Sequence, residues 1–194
     1  MLDRRAALAR LAALTGASLV GAEFFLAGCR RPDKRAPAPF DADGIALLDE
    51  IGETILPATD TPGARAAGVG AVIARIVSDC YDDEAQLAFQ DGVADVETRC
   101  RAMHGRAFRQ CASPERHRLL TTLNDEMKAE SRPKADPSRV HPFRAIKDLV
   151  LLAYFTSEVG CTLALRYVET PGRFDGDVPH AALDRAWVNP MRHT

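Results

Sequence analysis

Five cysteines, at positions 29, 80, 100, 111 and 161, carry the most definite chemistry in this chain. Cys29 closes Leu26-Ala27-Gly28-Cys29, a small-small-Cys stop after an apolar stretch. Read as a lipobox, that sulfur takes a lipid and Cys29 becomes the mature N-terminus; otherwise it is an ordinary thiol. Four cysteines then remain, an even number that an oxidising compartment can pair. Cys100 and Cys111 flank Gly105 and form a candidate disulfide clipping a helix end to the following loop. So short a closed loop would stabilise the fold by roughly 2–3 kcal/mol. Cys80 and Cys161 could pair with each other or remain buried thiols, and all four could equally be small apolar core residues. There is no C-x-x-C, so neither a thioredoxin-like site nor a thiolate zinc site is indicated.

Other reactive types are scattered. The histidines stand at 104, 117, 141, 180 and 193, with no H-x-x-x-H or H-E-x-x-H spacing. No G-x-S-x-G, G-x-G-x-x-G or G-x-x-x-x-G-K occurs. Asp82-Asp83-Glu84 reads as a helix start favouring negative charge rather than a metal site. Glu158 falls in an otherwise apolar stretch, where a buried carboxylate needs a partner or must be protonated. It is either an acid–base group or, as favoured here, a structural anchor for Arg166 or Arg173. In Pro171-Gly172-Arg173-Phe174-Asp175-Gly176 a turn is followed by Arg and Phe, types that dominate binding hot spots. That loop could present an interface, fold back onto the domain, or do both.

The elements that would position these residues read as helices. Asp43 can cap a helix carrying Ile45, Leu48, Ile51, Ile55 and Leu56, which Pro57 ends. Spacing predicts a second helix over 69–81 with Val72, Ile73, Ile76 and Val77 inward, and a third over 83–103 through Leu87, Val93 and Val96. Ser113-Pro114 reads as a cap followed by an N1 proline, opening a helix with Leu119, Leu120, Leu123 and Met127. Residues 131–141 read as a polar loop. A last long helix begins near Pro142 and runs to about Leu165; apolar residues on almost all faces from 149 to 155 make it central and buried. The tail, 168–179, is rich in Pro and Gly, and Trp187 stands near the end. The fold class is mainly α: a single helix-packed domain of about five helices with a Pro/Gly-rich C-terminal tail, spanning 42–194.

Before that domain comes an address. Arg4-Arg5, an apolar segment and the Cys29 stop, in that order, match an export signal over residues 1–28, and the paired arginines suggest the twin-arginine route for folded cargo. Residues 29–41 form a Pro-rich tether. The expected location is therefore periplasmic and membrane-anchored. The signal removes three of 25 basic and two of 27 acidic residues, leaving 22 and 25, a net charge of −3. That balance and the few aromatics exclude nucleic acid as an obvious partner.

Three stretches, residues 55–69, 154–160 and 166–176, resemble the gluconate 2-dehydrogenase subunit 3 family, the small subunits of FAD-dependent sugar and sugar-acid dehydrogenases. The resemblance implies a noncatalytic accessory subunit with no cofactor of its own. It implies FAD on a large partner subunit of the glucose-methanol-choline type, and in some complexes a multihaem cytochrome c subunit. It further implies that Arg4 and Arg5 escort the folded flavoprotein through the twin-arginine pore. The competing readings are a free-standing periplasmic helical lipoprotein binding a small ligand, and an independent enzyme built around Glu158 and a histidine.

Overall fold

The computed structural model describes residues 36–130, 141–169, 172, 177, 179, 181–182 and 184–188. The chain divides into two compact units, Met1–Ala36 and Pro37–Thr194, and every described helix belongs to the second. Arg4, Arg5 and Cys29 lie outside the described residues, as do Pro171, Arg173 and Phe174.

Helix α1 spans Ala42–Ile55. Asp41, not Asp43, caps it, its carboxylate accepting from the Gly44 N–H at 2.8 Å. Asp43 falls in the first turn, where negative charge still faces the free N–H groups. The helix stops before Pro57, whose ring disfavours helical geometry at Leu56. Helix α2, Val69–Cys80, buries Val69, Ile73 and Val77, an i, i+4, i+8 row. Val72 sits one residue off that row and is exposed, against the sequence expectation.

Helix α3 spans Asp83–His104; the Asp82 carboxylate accepts from the Ala85 N–H at 2.8 Å, as a helix start should. Phe89, Val93, Val96 and Cys100 point inward. Gly105 ends the helix at φ 70°, a left-handed backbone that glycine adopts without strain, and donates to the Arg101 carbonyl. A single 3-10 turn, Phe108–Gln110, leads to helix α4, Ser113–Glu130. Here too the cap shifts, by one residue. Ala112 carries the first accepting carbonyl, and its own N–H donates to Glu115 Oε2 at 2.8 Å. The Glu115 side chain supplies the reach-back half of a capping box, satisfying the Ala112 N–H.

Helix α5, Pro142–Phe155, starts at His141, whose Nδ1 accepts from the Phe143 N–H. It ends ten residues before the expected Leu165. The Thr156 hydroxyl donates to Leu152 O at 2.7 Å and the Ser157 hydroxyl to Tyr154 O at 2.6 Å. One wide π-type turn, Gly160–Ala164, comes next. α5 is central, packed against α1, α2, α3 and α4. Its apolar run is nevertheless not buried all round: Leu149, Val150, Ala153 and Tyr154 are buried while Leu152 is exposed. The architecture is mainly α: among the described residues, five α-helices pack around one core. Among the described residues there is no strand beyond one parallel bridge between Arg166 and Trp187. None of the described helices is long and apolar enough to cross a membrane.

Candidate functional site

Three places hold the residues singled out by sequence. The first is the loop between α1 and α2. Glu53, one turn from the end of α1, takes the Ala58 N–H on Oε1 (3.0 Å) and the Arg65 N–H on Oε2 (2.9 Å). The loop is thus folded around one carboxylate. Gly63 is the residue that permits it, since a Cβ there would overlap the Glu53 carboxylate. Glu50, one turn earlier, is mostly buried and pairs with both Arg65 and Arg116. Burial pulls the Arg116 guanidinium below its usual value, and the Glu50 carboxylate is its ion-pair partner there. From α5, the Tyr154 hydroxyl donates to the Pro62 carbonyl at 2.7 Å. Two of the stretches that carried the family resemblance, 55–69 and 154–160, are therefore fastened to each other.

The second place is the segment after α5. Glu158 is exposed and lies beyond the end of the helix, so the expected buried carboxylate is corrected: early termination at Phe155 turns it to solvent. Arg166, one of its expected partners, instead stacks over the Trp187 ring, 4.9 Å from the centroid. Backbone bonds from Arg166 N to Ala186 O (2.8 Å) and Val188 N to Arg166 O (3.0 Å) hold the two strands of chain together. Gly172 is exposed with a left-handed backbone, φ 74°. Five of the seven exposed large apolar side chains among the described residues belong to this end of the chain. They are Leu152 (49 %), Leu163 (45 %), Tyr167 (50 %), Val168 and Trp187 (43 %). Sequence reasoning missed Leu152 and Tyr167; the former was hidden among its apolar neighbours in α5.

The third place is the corner between α3 and α4. Cys100 and Cys111 are buried with their sulfurs 3.2 Å apart, both free thiols. Burial first, then the Cys111 contact and the nearby Glu97 and Glu115 carboxylates, pushes the Cys100 thiol up to about 12. Cys80 is exposed at the end of α2, and the half-buried Cys161 thiol donates to the Phe155 carbonyl, so the two are not paired. Of the histidines described, His141 caps α5 with Nε2 3.6 Å from Glu126, His104 lies 3.9 Å from Glu115, and His117 is exposed on α4. His180 and His193 lie outside the described residues. Among the described residues no three His, Cys, Asp or Glu side chains converge as a metal site.

The folded loop and the Tyr154 tie belong to a helical scaffold that leaves Leu152, Leu163, Tyr167, Val168 and Trp187 exposed at the end of α5 and beyond it. No curated protein and no solved structure matches the chain. A family model does. It begins at the first residue of α1 and runs to Gly172, taking in all five helices, the α1–α2 loop and Tyr154. With residues 42–172 matched, the chain belongs to the family of gluconate 2-dehydrogenase subunit 3.

Proposed function

We propose that this chain is the noncatalytic small subunit of a periplasmic, membrane-associated FAD-dependent dehydrogenase of the glucose-methanol-choline type, acting on a sugar or related alcohol. The family is that of a subunit of a gluconate 2-dehydrogenase-type complex. FAD sits on the large partner, and this chain stabilises that partner and carries it through twin-arginine export. The observation that carries the reading is the exposed apolar set at the end of α5 and beyond it, which holds five of the seven large apolar side chains left exposed among the described residues. Large apolar side chains left in water on a well-packed domain mark a surface another protein covers. Permanent subunit interfaces usually bury more than about 2,000 Å². The physical logic of the escort is that FAD is inserted in the cytoplasm, so the flavoprotein must cross folded. Arg4-Arg5 would supply the signal and Cys29 the lipid anchor.

The test is co-expression with the large flavoprotein subunit. Both chains are expected to purify together, yellow, from the membrane fraction, and Arg4→Lys with Arg5→Lys is expected to leave both in the cytoplasm. Export of the flavoprotein without this chain would overturn the escort role. A monomer that binds a small molecule and no flavoprotein would favour the free-standing lipoprotein instead.

A further inference from the structure

The corner between α3 and α4 brings two sulfurs together with more restraint than a core contact needs. Phe108, at the tip, is fully buried, and its N–H donates to Glu97 Oε1 at 3.1 Å. Arg106 pairs with Glu115 at 2.9 Å, and Arg109 reaches Asp43 on α1 at 3.0 Å. Gly105 turns the chain back so that Cys111 returns to Cys100. The sulfurs stand 3.2 Å apart, roughly 1 Å beyond a covalent S–S bond, a gap that side-chain rotation can close.

We propose that Cys100 and Cys111 are a thiol-oxidation site, converted by a disulfide-bearing oxidant into a clamp that fastens the end of α3 to the start of α4. In the cell this rests on the export reading above, because only an oxidising compartment supplies such an oxidant; the chemistry itself does not. Cys111 lies in the non-helical linker and keeps a trace of exposure (5 %), whereas Cys100 has none. Cys111 therefore meets the oxidant first. It loses its proton and attacks one sulfur of R–S–S–R, breaking that bond; one thiol, RSH, leaves and a Cys111–S–S–R mixed disulfide remains. Cys100 then gives its proton to water and attacks the Cys111 sulfur, expelling the second RSH. Two protein thiols lose two electrons and one oxidant disulfide gains them. Cys100 resists deprotonation in the folded state, so closure requires the corner to open or proceeds during folding.

The experiment refolds the full, reduced chain in glutathione buffers of graded GSSG content. It then quenches with acid, labels free thiols with a maleimide in denaturant, and maps the peptides by mass. Expected is a Cys100–Cys111 peptide pair two hydrogens lighter than the dithiol. Its formation should raise the thermal midpoint by roughly 5–10 °C over the reduced chain. That oxidised-minus-reduced shift should vanish in Cys111→Ser and persist in Cys80→Ser and Cys161→Ser. Free labelling of both cysteines at high GSSG, or their pairing with other cysteines, would overturn the site. If the buffer forms the bond but the chain drawn from cells carries both thiols free, the site stands and the export reading fails.

Discussion

The loop between α1 and α2 and the segment after α5 are both irregular chain, yet they are built oppositely. The first turns its polar groups inward: backbone N–H groups of Ala58 and Arg65 meet Glu53, and the Pro62 carbonyl meets Tyr154. The second bonds to itself, through Arg166 with Ala186 and Val188, and leaves Leu163, Tyr167 and Trp187 exposed. A segment satisfied from within holds the domain together, whereas one that leaves apolar area in water is completed by something else. Substitutions in the first should cost stability of the isolated chain. Those in the second should cost association and little else.

The largest loss of stability is expected from Glu50→Ala. It strips Arg116 of its carboxylate partner in a largely desolvated position and should lower unfolding stability by about 3 kcal/mol in urea denaturation. A change below about 0.5 kcal/mol would mean the Glu50 pairs are incidental. Tyr154→Phe keeps the ring and removes the bond to Pro62 O, and should cost about 1 kcal/mol, read the same way.

A smaller effect is expected with pH at the α3–α4 corner. The Ala112 N–H, with Arg106 and His104, holds the Glu115 carboxyl below its usual 4.5. A carboxylate depressed in the folded state stabilises it above the unfolded value, and that contribution is lost as pH falls through the folded value. Thermal midpoints of the native chain and Glu115→Gln should therefore converge as pH drops below about 4.5. The smallest change in stability belongs to the outward segment. Leu152→Ser and Tyr167→Ser should each shift stability by less than about 0.5 kcal/mol, since both side chains are exposed rather than part of the core. The same variants should weaken association with the large subunit at least tenfold if either is a hot spot.

Most of the fold was legible because its signals are local. Helical spacing located Leu119, Leu120, Leu123 and Met127, and Asp82 and Pro57 marked a start and a stop. Caps slipped by a residue or two because several acceptors compete at each start, as Asp41 and Asp43 do. The length of α5 misled because the apolar pattern runs on through Val159 and Leu163 and does not register the change from α-helix to a π-type turn after Phe155. Glu158 followed from that error: read as helical it needed a buried partner, and placed after Phe155 it meets water. The tie from Tyr154 to Pro62 spans 92 residues, and nothing local announces it. Cys100 and Cys111 were suggested by spacing, but only the turn at Gly105 shows their sulfurs meeting.

The central claim is that this chain grips a flavin-bearing partner through the apolar end beyond α5 while doing no oxidation itself. The direct measurement is dye-linked dehydrogenase activity of three samples purified from the same co-expression: the complex, the large subunit alone, and this chain alone. The account expects activity in the complex, weaker or short-lived activity in the large subunit, and none in this chain. Turnover by this chain alone at an ordinary enzymatic rate would contradict it.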